Sequence, residues 1–262
     1  MNVVHPHAVA AIVSGLFGLV IGSFVGVVAD RVPREESVVK PPSHCTSCGA
    51  QLRVVDNIPV ISYLVLRGKC HSCGVRIPPV DLVVELTTAL LFVAFAWRLP
   101  TLWALPSYCV LAAGLVALSV IDFAHKRLPT PIVYVTAGSA GALLVLASWP
   151  SHRFGHLVGA AIGAGACFAV FLLIWFVAPK AMGFGDVRLA GLCGGALGWL
   201  GSGAVAVGMV GAFLFAGVPA VVMLILGKAN RKTAIAFGPF LALATIVGVC
   251  FGETIAHAWL TI

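Results

Sequence analysis

Residues 189–227 read LAGLCGGALGWLGSGAVAVGMVGAFLFAGVPAVVMLILG, and none of their side chains is charged. One helix needs only ~20 apolar residues to cross a bilayer, so this stretch is long enough for two. Gly201-Ser202-Gly203 is the natural turn between them, because glycine and serine mark turns. The stretch therefore predicts two consecutive membrane-spanning helices.

The whole chain has a similar composition. Of its 262 residues, 60% are hydrophobic and only 10% are charged, and the mean hydropathy is +1.07. Soluble domains carry about 25% charged residues and roughly 45–50% apolar ones. The composition thus excludes an ordinary soluble domain and indicates a polytopic membrane protein.

Further apolar runs predict the remaining membrane helices. They cover residues 8–29, 80–97, 99–121, 128–151, 154–179 and 233–260. Residues 8–29 are interpreted as a retained helix, because no Lys/Arg-rich start precedes them and a basic segment follows. We therefore predict an all-α polytopic membrane protein with about eight transmembrane helices.

The basic residues orient this layout. Fourteen of the 16 Lys and Arg fall on the side that contains residues 30–79, and only Arg98 and Arg153 fall on the other. The positive-inside rule then places residues 30–79 in the cytoplasm and both termini outside. The net charge of +7 follows from this topology. Because no nucleic-acid-binding motif accompanies the charge, the lipid bilayer and not a nucleic acid is the expected partner.

The cytoplasmic segment contains two C-x-x-C pairs separated by 21 residues. The pairs are Cys45 with Cys48 and Cys70 with Cys73. This spacing is typical of a tetrahedral four-cysteine zinc site, and the glycines that follow, Gly49 and Gly74, suit turns with positive φ. Disulfides or a redox pair are the alternatives, but a reducing cytoplasm argues against structural disulfides. Four thiolates leave no open position, so the predicted zinc is structural.

Acidic residues are rare in the second part of the chain. After Glu85 only Asp122, Asp186 and Glu253 occur. The topology places Asp122 and Asp186 at the same membrane face and Glu253 toward the opposite one. Two carboxylates at one depth suggest an aspartic-protease dyad, in which a shared proton lets the pair activate a water. Alternatively, Asp122 pairs with Lys126 and Asp186 stabilises a helix N-terminus.

The motifs, taken in order, resemble those of the bacterial type IV prepilin peptidases over nearly the whole chain. They are Gly22-Ser23-Phe24 with Arg31-Val32-Pro33, the two cysteine pairs around residues 56–63, Leu66-Arg67-Gly68-Lys69-Cys70, Glu85-Leu86, Ile121-Asp122 with Leu128-Pro129, Gly183-Phe184-Gly185-Asp186-Val187-Arg188-Leu189 and Phe237-Gly238-Pro239-Phe240. The resemblance implies an aspartic endopeptidase of the bacterial cytoplasmic (inner) membrane. Its implied substrates are type IV prepilins and related pseudopilins, cleaved after the glycine that ends a basic leader. The family's catalytic aspartates map onto Asp122 and Asp186.

Members with the cysteine domain often also N-methylate the new N-terminal residue, using S-adenosylmethionine, and the four cysteines match that longer class. The chain lacks a glycine-rich loop of the dinucleotide-binding type, so no residues are assigned to this cofactor. The expected organisation is a first helix over 1–29, a zinc-binding domain over 30–79 as the implied methyltransferase part, and a peptidase domain over 80–262.

The sequence departs from the family pattern at several positions. Gly26 stands where the family usually has Asn, Thr130 where Asp often follows Leu-Pro, and Arg188 where Lys is common. The segment Pro79-Val80-Asp81 lacks the usual Tyr-Pro. Two alternative functions stay open: an intramembrane aspartic protease of another substrate without methyltransferase activity, and a non-catalytic membrane carrier whose zinc loop docks a partner.

Overall fold

A computed structural model describes residues 6–45, 47–150, 152–179, 182–226 and 236–260. Within these ranges the chain forms nine α-helices and no β-strand, only two isolated β-bridges. The helices are α1 (Pro6–Arg31), α2 (Ile61–Val65), α3 (Val80–Arg98), α4 (Leu105–His125), α5 (Thr130–Ser148), α6 (Phe154–Val177), α7 (Phe184–Leu200), α8 (Ser202–Ile225) and α9 (Gly238–Leu260). The predicted all-α architecture is confirmed.

In the described part of the chain, seven segments are long and apolar enough to cross a membrane. They are Pro6–Arg34, Val80–Arg98, Leu102–His125, Thr130–Ser148, Phe154–Val177, Ser202–Val222 and Gly238–Trp259. The eighth predicted helix is α7, which has only 17 residues and extends about 26 Å at ~1.5 Å per residue. The turn predicted at Gly201 is confirmed, since α7 ends at Leu200 and α8 begins at Ser202.

The largest difference in helix bounds concerns α4, which was predicted over 99–121. The helix begins at Leu105 because a short 3-10 turn, Leu102–Ala104, precedes it, and the Thr101 side chain accepts a hydrogen bond there from the Trp103 N–H. It ends at His125, where Lys126 adopts a left-handed conformation and donates its N–H to the Asp122 carbonyl at 2.8 Å. Asp122 therefore lies in the last helical turn of α4.

The chain divides into two compact units, unit 1 (Met1–Trp97) and unit 2 (Arg98–Ile262). In unit 1, small residues of α1 allow α3 to approach closely, as is common between membrane helices. A Cβ atom on Gly18 would lie 2.7 Å from the Ala89 Cα, and one on Gly22 would lie 2.6 Å from the Glu85 Cα. The four-cysteine segment lies between these helices in the sequence.

In unit 2, glycines on α6 face glycines on α7. Added Cβ atoms on Gly159 and Gly163 would collide with the carbonyl oxygens of Gly198 and Gly194, respectively. The two helices therefore pack backbone against backbone. The small-residue run on α6 is a packing surface, as expected for small residues in membrane helices.

One end of unit 2 is held by an aromatic and polar network centred on the buried Trp199. The Tyr108 hydroxyl donates to the Ala196 carbonyl at 2.6 Å, and the Trp199 indole N–H donates to the Ser148 hydroxyl at 3.2 Å. His156 Nδ1 lies 2.6 Å from the Trp199 carbonyl oxygen. These contacts join the start of α4, the end of α5, the start of α6 and the end of α7. The opposite ends of α4 and α7 carry the two aspartates.

Candidate functional site

Asp122 is buried near the end of α4 and contacts the start of α9. Its side chain is 5% exposed, and its Oδ2 accepts the Gly238 N–H at 3.0 Å. Gly238 begins α9, where backbone N–H groups have no partner within the helix and the helix dipole favours an anion. A Cβ atom on Gly238 would lie 2.7 Å from Asp122 Oδ2, so this contact requires glycine.

Asp186 is held at the start of α7 in a similar way. It is the third residue of the helix, 8% exposed, and its Oδ2 accepts the N–H of the N-cap residue Gly183 at 3.1 Å. The helix-capping role considered as an alternative is therefore present. It engages Oδ2, and no hydrogen bond to Oδ1 is found among the described residues.

The two carboxyls lie in one site. Leu128 lies against the two helix starts that hold the acids, that of α7 for Asp186 and that of α9 for Asp122. A Cβ atom on Gly185 would lie 2.8 Å from the Leu128 Cβ, and one on Gly238 would lie 3.2 Å from the Leu128 Cδ2. The end of α4 and the starts of α7 and α9 thus converge around two buried carboxyls, each bonded by a backbone N–H.

Glu253, the third acidic residue of this part of the chain, has a different role. Its Oε1 accepts the Ala204 N–H at 3.1 Å in the first turn of α8. The start of α8 follows the end of α7 that lies away from Asp186. Glu253 therefore caps a helix and is separate from the pair.

Arg188 joins the start of α7 to α5. Its Nη1 donates a hydrogen bond to the Thr130 hydroxyl, and its guanidinium carbon lies 4.7 Å from the Phe184 ring centre and 5.9 Å from that of Tyr134. Its Nε is buried and has no hydrogen-bond partner among the described residues. Two departures from the family pattern, Thr130 and Arg188, thus contact each other, and Arg188 is two residues beyond Asp186.

We expect Thr130→Val to destabilise the protein and Thr130→Asp to preserve or increase its stability. Valine would leave a partly buried N–H of Arg188 without an acceptor, which costs roughly 1–3 kcal/mol, whereas a carboxylate can accept two guanidinium N–H groups. Thermal unfolding in detergent measures both effects. Ser139→Ala is the control on α5, because the Ser139 hydroxyl bonds only carbonyls of its own helix. Equal unfolding temperatures for Thr130→Val and the wild type would contradict this prediction.

In unit 1, the four cysteines predicted as ligands come together. Their Sγ atoms all lie within 4.8 Å of one another, and the Sγ atoms of Cys45 and Cys73 are 3.8 Å apart. A tetrahedral zinc with Zn–S bonds of ~2.3 Å has sulfurs about 3.8 Å apart, whereas a disulfide requires ~2.05 Å. The cluster could hold a metal ion such as zinc.

Each cysteine pair forms the same turn. The N–H of Gly49 donates to the Cys45 carbonyl at 2.8 Å, and that of Gly74 donates to the Cys70 carbonyl at 2.9 Å. Both glycines have φ of 70°, and a Cβ atom on either would meet no atom within 4 Å. Both positions therefore favour glycine because of their positive φ, and not because a side chain would clash with a neighbour.

The backbone of the first turn also favours the thiolate that a metal requires. Hydrogen bonds from the N–H groups of Cys48 and Ser47 lower the pKa of the Cys45 thiol to about 6. The donor set and the geometry thus both fit a tetrahedral zinc.

The fold and the site define a class: a polytopic all-α membrane protein with a pair of buried carboxyls at helix ends and a four-cysteine cluster. Two protein-family models match the chain. The bacterial peptidase A24 N-terminal domain matches residues 16–99, and the type IV leader peptidase family matches residues 109–262. The chain therefore belongs to the type IV leader peptidase family, peptidase A24.

Curated relatives agree over nearly the full length. The chain is 34% identical to a prepilin leader peptidase/N-methyltransferase of Pseudomonas aeruginosa, covering 94% of this chain and 91% of that protein. It is 33% identical to one of Stutzerimonas stutzeri (94% and 92%) and 29% identical to one of Neisseria gonorrhoeae (100% and 98%). No solved structure matches the chain.

Several residues of the site had no assigned role in the sequence. In the sequence, Gly238 is part of the late motif Phe237-Gly238-Pro239-Phe240, and Leu128 belongs to the Leu-Pro pair that follows Asp122. Thr130 and Arg188 were noted as separate departures, although they form one contact. In unit 1, Gly26 and Asp81 also face each other, since a Cβ atom on Gly26 would lie 3.5 Å from the Asp81 Oδ1. A single sequence carries no signal for such pairs, because their partners are distant along the chain.

Proposed function

We propose that this chain is a prepilin leader peptidase in which Asp122 and Asp186 are the catalytic pair. It cleaves the basic leader from type IV prepilins or pseudopilins at the cytoplasmic face of the bacterial inner membrane. It then N-methylates the new N-terminal residue. The observation that carries the peptidase proposal is the convergence of two buried carboxyls at the start of α7 and the end of α4. Membership of the family supports the substrate class.

The arrangement suits hydrolysis of a peptide bond. Two nearby carboxyls in a poorly solvated site share one proton, because both do not ionise easily together. The ionised carboxyl takes a proton from the attacking water, and the protonated one donates a hydrogen bond to the scissile carbonyl. The N–H groups of Gly183 and Gly238 engage Oδ2 of the two aspartates. In this mechanism, the Oδ1 atoms, which have no hydrogen bond among the described residues, bind the water and the substrate.

The basic residues support the side of cleavage. Lys and Arg concentrate on the side of residues 30–79 and of both aspartates, which the positive-inside rule assigns to the cytoplasm. A basic prepilin leader would remain on that side while its apolar segment lies in the bilayer. The open backbone at Gly183, where a Cβ atom would come no closer than 3.5 Å to any neighbour, would let an extended leader junction approach Asp186.

The remaining proposals concern residues 1–29 and 30–79. We propose that Cys45, Cys48, Cys70 and Cys73 bind one structural zinc within the cytoplasmic domain 30–79, which follows the first helix 1–29 and precedes the peptidase domain 80–262.

The methyltransferase part is assigned to the same domain. S-adenosylmethionine, when bound, would supply the methyl group. The family match over residues 16–99 is separate from the match over residues 109–262, which supports an N-terminal domain distinct from the peptidase part.

The test is the intact mass of a prepilin that is co-expressed with the wild-type chain. We expect loss of the leader and the added mass of one methyl group. Leader loss without methylation would favour an aspartic protease that lacks methyltransferase activity. An intact leader across a panel of type IV prepilins and pseudopilins would overturn the peptidase proposal and favour a membrane carrier.

Gly238→Ala is expected to slow leader removal by about 100-fold. The added Cβ would lie 2.7 Å from Asp122 Oδ2 and displace the carboxyl, and misplacement of a reacting group by ~1 Å can cost 10²-fold in rate. The rate of leader cleavage in detergent is the measurement. Gly141→Ala in α5 is the matched control, since a Cβ there would meet no atom within 4 Å. Wild-type activity of Gly238→Ala would contradict a catalytic role of this Asp122 contact.

A further inference from the structure

Unit 1 contains a cavity of about 330 Å³ between α1 and the segment that follows it. Cavities that bind small molecules usually measure roughly 300–1,000 Å³. The wall from α1 includes Ser23, Phe24 and Arg31, and the wall from the following segment includes Ser43 and Asn57. The cavity thus combines an apolar, aromatic surface with hydroxyl, amide and guanidinium groups.

Arg31 gives this cavity its charge. The residue is 8% exposed, and its Nη1 donates to the Ser37 carbonyl at 3.0 Å. The ion pairs found among the described residues are Arg34 with Asp30 and Arg53 with Asp56, so Arg31 has no carboxylate partner there. A guanidinium has five N–H donors, and a buried charge without a counter-charge is costly. This combination indicates that an anionic group of a ligand pairs with Arg31.

The opposite wall is fixed by a strained turn. Val60 has φ of 63° and ψ of −50°, a conformation that is unfavourable for a β-branched residue. Its N–H donates to the buried Glu85 carboxylate at 2.7 Å. This contact holds the turn that follows Asn57 and Pro59, two residues of the cavity wall. Strain of this kind persists where the surrounding structure holds it, often in ligand sites.

We propose that this cavity binds the methyl donor S-adenosylmethionine, with Arg31 holding its carboxylate. The inference rests on the methyl transfer proposed above and names its site. The Phe24 ring can contact the sulfonium or the adenine, and Asn57 with the two serines supplies donors and acceptors for the nucleoside.

The other large cavity of unit 1 fits this ligand less well. It measures about 470 Å³, and its wall includes Arg67, Lys69 and Arg76. Three cations would repel the positive sulfonium, whereas Arg31 is the one cation among the described residues that lines the first cavity. Charge thus distinguishes the two cavities in favour of the one that contains Arg31.

The test measures equilibrium binding of S-adenosylmethionine to the full-length protein in detergent. We expect Arg31→Gln to weaken binding by roughly 10- to 100-fold, the effect of losing a hydrogen bond to a charged group. Arg34→Gln is the matched control, because Arg34 is exposed and paired with Asp30; its affinity should equal that of the wild type. Decarboxylated S-adenosylmethionine should bind the wild type weakly and be insensitive to Arg31→Gln.

Each contrary outcome is distinct. Equal affinities of the wild type and Arg31→Gln would overturn this site, while a methylated pilin would still support the proposed function. If Arg31→Gln lost binding to phosphatidylglycerol micelles but kept the wild-type affinity for S-adenosylmethionine, Arg31 would be assigned to a lipid phosphate and the inference would be overturned. A wild type that cleaves prepilin but neither binds the donor nor methylates would refute both the site and the methyltransferase proposal. If Arg31→Gln does not fold, the comparison of the two donors on the wild type decides.

Discussion

Asp122→Asn and Asp186→Asn are each expected to abolish removal of a prepilin leader while leaving the fold intact. An amide neither takes a proton from water nor shares one with the second carboxyl, and loss of general acid–base catalysis lowers rates by about 10²–10⁴-fold. The amide oxygen can still accept the N–H of Gly238 or Gly183, which now bonds the aspartate. The measurement is the intact mass of co-expressed prepilin, with a time course of cleavage in detergent.

The chain supplies a matched control in Glu253→Gln. This change also replaces a partly buried acid by its amide, but Glu253 caps α8 through the Ala204 N–H, away from the pair. We expect this variant to cleave the leader as the wild type does. Leader removal at the wild-type rate by both Asn variants would disprove the acid-pair mechanism and make the membrane carrier the better interpretation.

Cys70→Ser is expected to release the bound zinc and to unfold the segment between α1 and α3. Cys70 is the buried member of the cluster, and a segment without a large core depends on its metal. Structural zinc in small zinc-binding peptides binds with about 10–16 kcal/mol, so loss of one ligand removes a large part of the stability of this segment. Zinc content per chain and limited proteolysis of residues 30–79 measure the two effects.

Chelation of the wild type should reproduce this proteolytic pattern. Cys109→Ser is the control, because Cys109 lies in α4 and outside the cluster. It should retain one zinc and resist the protease as the wild type does. A wild-type protein without zinc, or Cys70→Ser with a full complement of zinc, would refute the metal site.

The class of fold follows from local features of the sequence. The apolar runs predicted the membrane helices because a helix in lipid must satisfy its own backbone and expose apolar side chains along a fixed length. The cysteine cluster was equally predictable, since the two residues inside each C-x-x-C pair allow a tight turn that aims both sulfurs at one metal. The rarity of acidic residues after Glu85 marked Asp122 and Asp186 as candidates.

Tertiary structure alone decided how the candidates are used. Gly238 bonds Asp122 across 116 positions of the chain, Arg188 meets Thr130 across 58, and Glu253 caps α8 across 49. Hydropathy and spacing describe one helix at a time, whereas these contacts depend on which small residues let helices approach and on which helix ends meet. The sequence by itself determined the membrane helices, the four clustered cysteines and the two candidate carboxyls. Only the packing of the helices brought backbone N–H groups to those carboxyls. The tertiary structure likewise buried Arg31 beside a cavity, where this side chain has no carboxylate partner among the described residues. Sequence patterns do not contain such contacts, because they form between residues that are not neighbours along the chain.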